Sequence, residues 1–275
     1  MIRNIYIELR KNLYIPIYLI SSILVAVVCL LSTGYESFNG TKYTVAEMVL
    51  FADRALLQSK EELDRYSIWY YGLSNYGTLL FPLLIGLGFM YMISTERKNG
   101  TNRFILIRSN VFRYCISKTL SAVLSSGIIL LTGYLLYGII VFCKFPAPVD
   151  FAETYEMSES FAVFTRCLRV FGYGAYLAVI PVSVSVIFND KYVLMCLPLI
   201  IKYILDQLSL KIMMTMSEGG GMKIASIINS LSMERIVTER DGFSITNMVF
   251  YIGVIAVLTF IMEIIVKGRD GYGLD

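Results

Sequence analysis

Six stretches of the chain are apolar with little interruption, at about 13–31, 77–94, 120–142, 170–188, 192–208 and 248–266. Each is roughly 17–25 residues long, enough at ~1.5 Å per residue for a helix to cross a ~30 Å hydrocarbon layer. The pattern predicts an all-α integral membrane protein with six transmembrane helices in a single domain over residues 1–275. The fifth stretch is the most interrupted, by Lys202 and Asp206. Two longer segments, 32–76 and 209–247, separate the first from the second and the fifth from the sixth stretch. Within 43–66, Val45, Met48, Leu56, Leu57 and Leu63 alternate with charges, and Ser59 with Glu62 has capping-box spacing, which predicts short surface helices. Residues 211–242 are moderately apolar around 224–231 and broken by Gly219, Gly220 and Gly221. They predict short helices dipping into the outer interface rather than a further span.

Lys and Arg are distributed unevenly between these stretches. With the N-terminus inside, one side collects Arg3, Arg10, Lys11, Arg97, Lys98, Arg103, Arg108, Arg113, Lys118, Lys191, Lys267 and Arg269. The segment between the second and third stretches holds six basic residues against Glu96, whereas 144–166 holds two against Asp150, Glu153, Glu156 and Glu159. The excess of positive charge predicts that both termini are cytoplasmic. Trp69, Tyr70, Tyr71 and Tyr76, just before the second stretch, fit an aromatic belt at the outer surface. No small-residue cleavage pattern follows Leu31, so the first stretch is expected to be an uncleaved span.

Composition narrows the chemistry. Hydrophobic residues make up 56% of the chain and charged ones 16%, against roughly 25% charged in soluble domains. The absence of His removes the usual general base and every Ser/His or Cys/His arrangement. Cys29, Cys115, Cys143, Cys167 and Cys196 are scattered without CxxC spacing, which indicates neither a disulfide framework nor a metal cluster. The net charge of +3 gives no reason to expect a nucleic-acid partner. Gly219-Gly220-Gly221-Met222-Lys223 lacks the ending and the preceding strand of a nucleotide-binding loop. Inside the spans, Lys202 and Asp206 share a helix face and form a candidate intramembrane polar pair, either structural or lining a path. Glu263, one turn from the inner end of the last span, can reach Lys267. Pro16, Pro82, Pro181 and Pro198 predict bends, and Gly172, Gly174 and Ala175 predict close helix approach.

The most specific pattern is 94–118, STERKNGTNRFILIRSNVFRYCISK. Glu96, Arg97 and Lys98 end one helix, Asn99 and Gly100 supply a turn, and Phe104, Ile105 and Ile107 form a short apolar face. Arg108, Arg113 and Lys118 follow. A short amphipathic helix lying along the membrane is expected, and the alternative is a charged loop that only fixes orientation. The stretch resembles the segment after the second span in the type 2 family of ABC transporter permeases. There an acidic residue, a Gly-led turn, a short coupling helix and a basic residue opening the third helix recur. Glu96, Gly100, Arg113, Tyr114 and Lys118 carry the match, while Ser109 and Asn110 stand where the family commonly has Pro. The layout is also similar, with a short amphipathic helix at residues 1–12, six spans and partly inserted outer helices between the fifth and sixth.

The resemblance implies a multi-pass permease subunit of a bacterial plasma membrane that pairs with a second permease subunit, identical or not. It implies export of a peptide, drug or lipid-like molecule, with the coupling helix docked on a separate cytoplasmic ATP-binding subunit. ATP and Mg would be held by that partner, so this chain would be neither an enzyme nor the holder of a cofactor. A membrane sensor or assembly subunit, whose inner loop binds another partner, is the alternative, and an intramembrane enzyme is third.

Overall fold

In a bilayer, backbone N–H and C=O groups must find partners within the segment, so apolar stretches of this length fold as helices. The computed structural model describes residues 2–13, 15–36, 42–51, 63–73, 76–99, 110–148, 158–188, 190–215 and 245–270. It begins with α1 (Ile2–Asn12) and α2 (Ile15–Leu30), continues through β1 (Thr33–Glu36), β2 (Lys42–Thr44), α3 (Val45–Phe51) and α4 (Arg65–Tyr71), and then enters the long helices. These are α5 (Tyr76–Lys98), α6 (Val111–Lys144), α7 (Glu159–Val184), α8 (Lys191–Thr215) and α9 (Ile245–Asp270). Four helical segments, Val111–Lys144, Glu159–Val184, Tyr192–Ile212 and Tyr251–Gly268, are long and apolar enough to cross a membrane. Helices α1 and α2, bent by 63° at their junction, make a fifth if they form one broken span. The protein is thus mostly helical and membrane-embedded.

One feature departs from the all-α expectation for the segment between the first and second stretches. Strands β1 and β2 pair antiparallel, Thr33 opposite Thr44 and Glu36 opposite Lys42. Thr33, Tyr35, Tyr43 and Thr44 are residue types that favour strands, and Asn39-Gly40 between them is a hairpin dipeptide in the sequence. Two short helices follow among the described residues, as expected, and the capping-box pair Ser59 and Glu62 lies outside the described residues. Helix α3 is opened by a reciprocal capping box: the Thr44 N–H donates to Glu47 Oε2 (2.9 Å) and the Glu47 N–H donates to Thr44 Oγ1 (3.2 Å). Helix α4 is capped by Asp64, which accepts from the Ser67 N–H.

Helix α6 is the axis of the molecule, packing against α1, α2, α4, α5, α7 and α9. It begins at Val111, well before the expected 120, because Asn110 caps it by accepting from the Phe112 N–H at 3.4 Å. Its 34 residues give ~51 Å of helix, longer than the hydrocarbon layer is thick. Glycines let its neighbours approach. A Cβ on Gly133 would stand 2.6 Å from the Ser22 carbonyl oxygen of α2, and one on Gly174 of α7 would stand 2.9 Å from the Ser126 carbonyl oxygen of α6. Gly172, by contrast, faces open space. Ser22 and Thr132 hydroxyls bridge α2 and α6 at 2.9 Å. Helix α8 rests on α5 and α7 and leaves Tyr203, Ile204 and Leu208 exposed.

Trp69 does not sit in an aromatic belt. It is 2% exposed, stacked on Tyr134 at 4.9 Å and edge-on to Phe142 at 5.6 Å. Helix α4 folds back onto the end of α6, where Tyr134 donates to the Trp69 carbonyl (2.7 Å) and Tyr137 to the Ile68 carbonyl (2.6 Å). Two carbonyls at the C-terminal end of α4 are thereby satisfied away from water. Tyr71 stays exposed, and the Tyr76 side chain is outside the described set.

Candidate functional site

At the end of the bundle that carries α1, four charges meet. Lys118 of α6 is buried and donates to Glu8 of α1 at 2.6 Å and to Glu96 of α5. Lys11 of α1 reaches the same two carboxylates, at 3.5 Å from Glu8 and 3.0 Å from Glu96. One turn further along each helix, Asn12 Nδ2 donates to Ser121 Oγ at 3.4 Å, and Ser121 in turn donates to the Lys118 carbonyl at 3.0 Å. Two acids and two bases leave the cluster neutral, which is what allows charges to be buried at tolerable cost.

The arrangement comes from helical spacing. Glu8 and Lys11 stand one turn apart on α1, so both can face the groove between α5 and α6. Glu96 lies beyond the apolar stretch of α5, and Lys118 lies inside α6 rather than opening it. Burial alone would push the Glu96 carboxyl up, but the Lys118 and Lys11 ammonium groups outweigh this and hold it below its ordinary value. For Lys11, burial works against the charge, and Glu96 and Glu8 more than offset it, raising its ammonium above the ordinary value.

Of the residues expected to couple to a partner, Glu96 and Lys118 are thus drawn together, and Arg113 is exposed on the first turn of α6. Gly100, Phe104, Ile105, Ile107 and Arg108 lie outside the described residues, as does the side chain of Arg97. Lys202 is half-buried on α8, and the side chain of Asp206 lies outside the described set. Glu263 is paired with Lys267 at 2.6 Å, one turn on. Among the described residues no group of three or more His, Cys, Asp or Glu is placed to hold a metal ion.

No family model, no curated protein and no solved structure matches the chain. The sites therefore rest on their own geometry.

A second buried charge, missed in the sequence, occupies the other end of α6. Arg166, on α7, is 3% exposed. Its Nε donates to Tyr134 Oη at 3.2 Å, its guanidinium to the Tyr70 carbonyl at 3.0 Å, and it lies 3.9 Å from the centre of the Tyr70 ring. A cation thus sits at the C-terminal end of α4, where the helix dipole is negative. By sequence Arg166 reads as the end of an outer loop; the signal was the run of apolar residues around it, Phe161, Ala162, Val163 and Phe164, which already belong to α7. Glu8 and Lys11 were equally legible as a spaced acid–base pair in a short amphipathic segment.

Proposed function

We propose that the chain is the permease subunit of a type 2 ABC transporter, with six spans and both termini cytoplasmic. It would work as one of a pair of permease subunits, exporting a peptide, drug or lipid-like molecule. ATP would be bound and hydrolysed with Mg by a separate cytoplasmic subunit docked on 104–113. The observation that carries this reading is the four-charge junction. It ties together the two helices that flank 99–110 and the helix that precedes the first span, so force applied to that segment reaches three elements at once. The acid at the end of α5 and the base within α6, which the family resemblance singles out, are the residues that close it.

The test is to co-express the chain with candidate Walker-motif ATPases from its own genome and purify by a tag on the permease. A stoichiometric ATPase, with hydrolysis that responds to a transported compound, is expected. Phe104→Ala is expected to weaken that complex by ~2 kcal/mol or more, as for a buried interface anchor, and Arg108→Ala to change mainly its salt sensitivity. Undiminished co-purification and substrate-stimulated hydrolysis in Phe104→Ala would reduce the segment to an orientation signal and remove the main sequence support for transport.

A further inference from the structure

Helix α1 buries two polar side chains and half-buries Ile5 and Leu9. Glu8 and Asn12 are buried against α6, while Arg3, Tyr6, Ile7 and Arg10 are exposed, Tyr6 by 64% and Ile7 by 42%. These four recur at i, i+3, i+4 and i+7, so they form one stripe on the side of the helix opposite Glu8 and Asn12. The stripe leaves Tyr6 and Ile7 uncovered although Ile5 and Leu9 of the same helix are half-buried. The two arginines lie ~10 Å apart along the axis with an aromatic and an aliphatic side chain between them. Among the described residues neither arginine has an acidic partner, since Glu8 and Glu96 are both taken by lysines. Helices α1 and α2 are bent by 63° at their junction, so when α2 crosses the membrane along its normal, α1 lies closer to the membrane plane than to that normal.

We propose that this stripe is a docking surface for anionic phospholipid, with the phosphates on Arg3 and Arg10 and the acyl boundary around Tyr6 and Ile7. Charge complementarity selects the occupant: two exposed cations with no acidic partner among the described residues need anions, and the apolar pair between them needs hydrocarbon, a combination that an anionic diacyl lipid supplies in one molecule. The junction fixes the rotation of α1 about its own axis, because turning the stripe inward would strand Lys118. Lipid charge is thus read at the element that also holds α5 and α6 together. The inference rests on the membrane reading of the chain but not on the transporter reading.

The test uses the full chain bearing Tyr6→Trp, reconstituted in vesicles that mix plain phosphatidylcholine with brominated phosphatidylglycerol, or plain phosphatidylglycerol with brominated phosphatidylcholine. Quenching of the added indole, after subtraction of the parent protein's Trp69 signal, gives the relative affinity of the two lipids at this face. A basic residue near a charged surface contributes roughly fivefold, so a preference of about fivefold to 25-fold for phosphatidylglycerol is expected, falling with salt. Adding Arg3→Gln and Arg10→Gln together is expected to bring it close to one without loss of thermal stability, and Arg10→Lys is expected to retain most of it. Equal quenching by the two lipids overturns the proposal. So does an indole that neither brominated lipid quenches, which would assign the stripe to a protein partner. A chain that fails to float with vesicles after an alkaline wash overturns the membrane reading and this inference with it.

Discussion

Lys118 holds two carboxylates from two different helices, and its loss would leave the buried Glu8 and the partly buried Glu96 with Lys11 as their remaining cation. Removing one partner from a buried ionic group typically costs ~3–5 kcal/mol, more than the group contributes over an apolar substitute. Lys118→Met is therefore expected to lower stability by about that amount, and adding Glu8→Gln and Glu96→Gln to recover a large part of it. Additive losses across thermal unfolding of the single and combined variants would mean that the three residues do not act as one unit. Glu96 and Lys11 set a pH window. Glu96 has a folded-state pKa below the ordinary 4.5, so its stabilisation is complete above that pH and is lost as pH falls through the folded value. Lys11 is the mirror case, its contribution complete below 10.5 and lost as pH rises through its higher folded value. The contribution of these two groups is expected to be even from about pH 5.5 to 9.5, with an acid-side loss that Glu96→Gln reduces. A stability change near neutral pH that disappears in that variant would contradict the assignment.

Among the helices, α6 shows what close packing demands. Gly133→Ala and Gly174→Ala each place a methyl group against a backbone carbonyl of a neighbouring helix, and ~1–3 kcal/mol of destabilisation is expected from each. Gly172→Ala, facing open space, is expected to stay within ~0.5 kcal/mol and serves as the control in the same detergent. The sequence singled out both Gly172 and Gly174 as close-approach candidates, and only the position of α7 against α6 separates them. Helix existence was legible, because an apolar run of span length has one backbone solution in lipid. Helix ends were not: α6 and α7 begin far upstream of their apolar runs, where contacts to α1 and the cap at Asn110 extend α6, and the Arg65–Glu159 ion pair to α4 ties down the start of α7, past the point at which hydropathy gives out. Trp69 was misread for a related reason, since amphipathic aromatics suit a membrane interface and a buried helix end equally well. The junction was half legible. Glu96 and Lys118 stood out by pattern, but their partners come from α1, more than a hundred residues from Lys118 in the case of Glu8, and no local spacing announces such a pairing.

For the whole molecule, the two buried polar clusters hold α6 at two levels. Lys118 and Tyr137 are ~28 Å apart along the helix at ~1.5 Å per residue, close to the ~30 Å of a hydrocarbon layer. A helix pinned at both levels by neighbours cannot slide or shorten, so the span between the pins acts as a ruler, and the bilayer must conform to it. Membranes thinner or thicker than this length are expected to cost fractions of a kcal/mol per Å of mismatch. In phosphatidylcholines of increasing acyl length, thermal stability is expected to pass through a maximum where the hydrocarbon layer matches the ruler, and a flat or steadily rising profile would show that one pin gives way. In a cell whose membranes differ in thickness, the same ruler would decide in which of them the protein comes to rest.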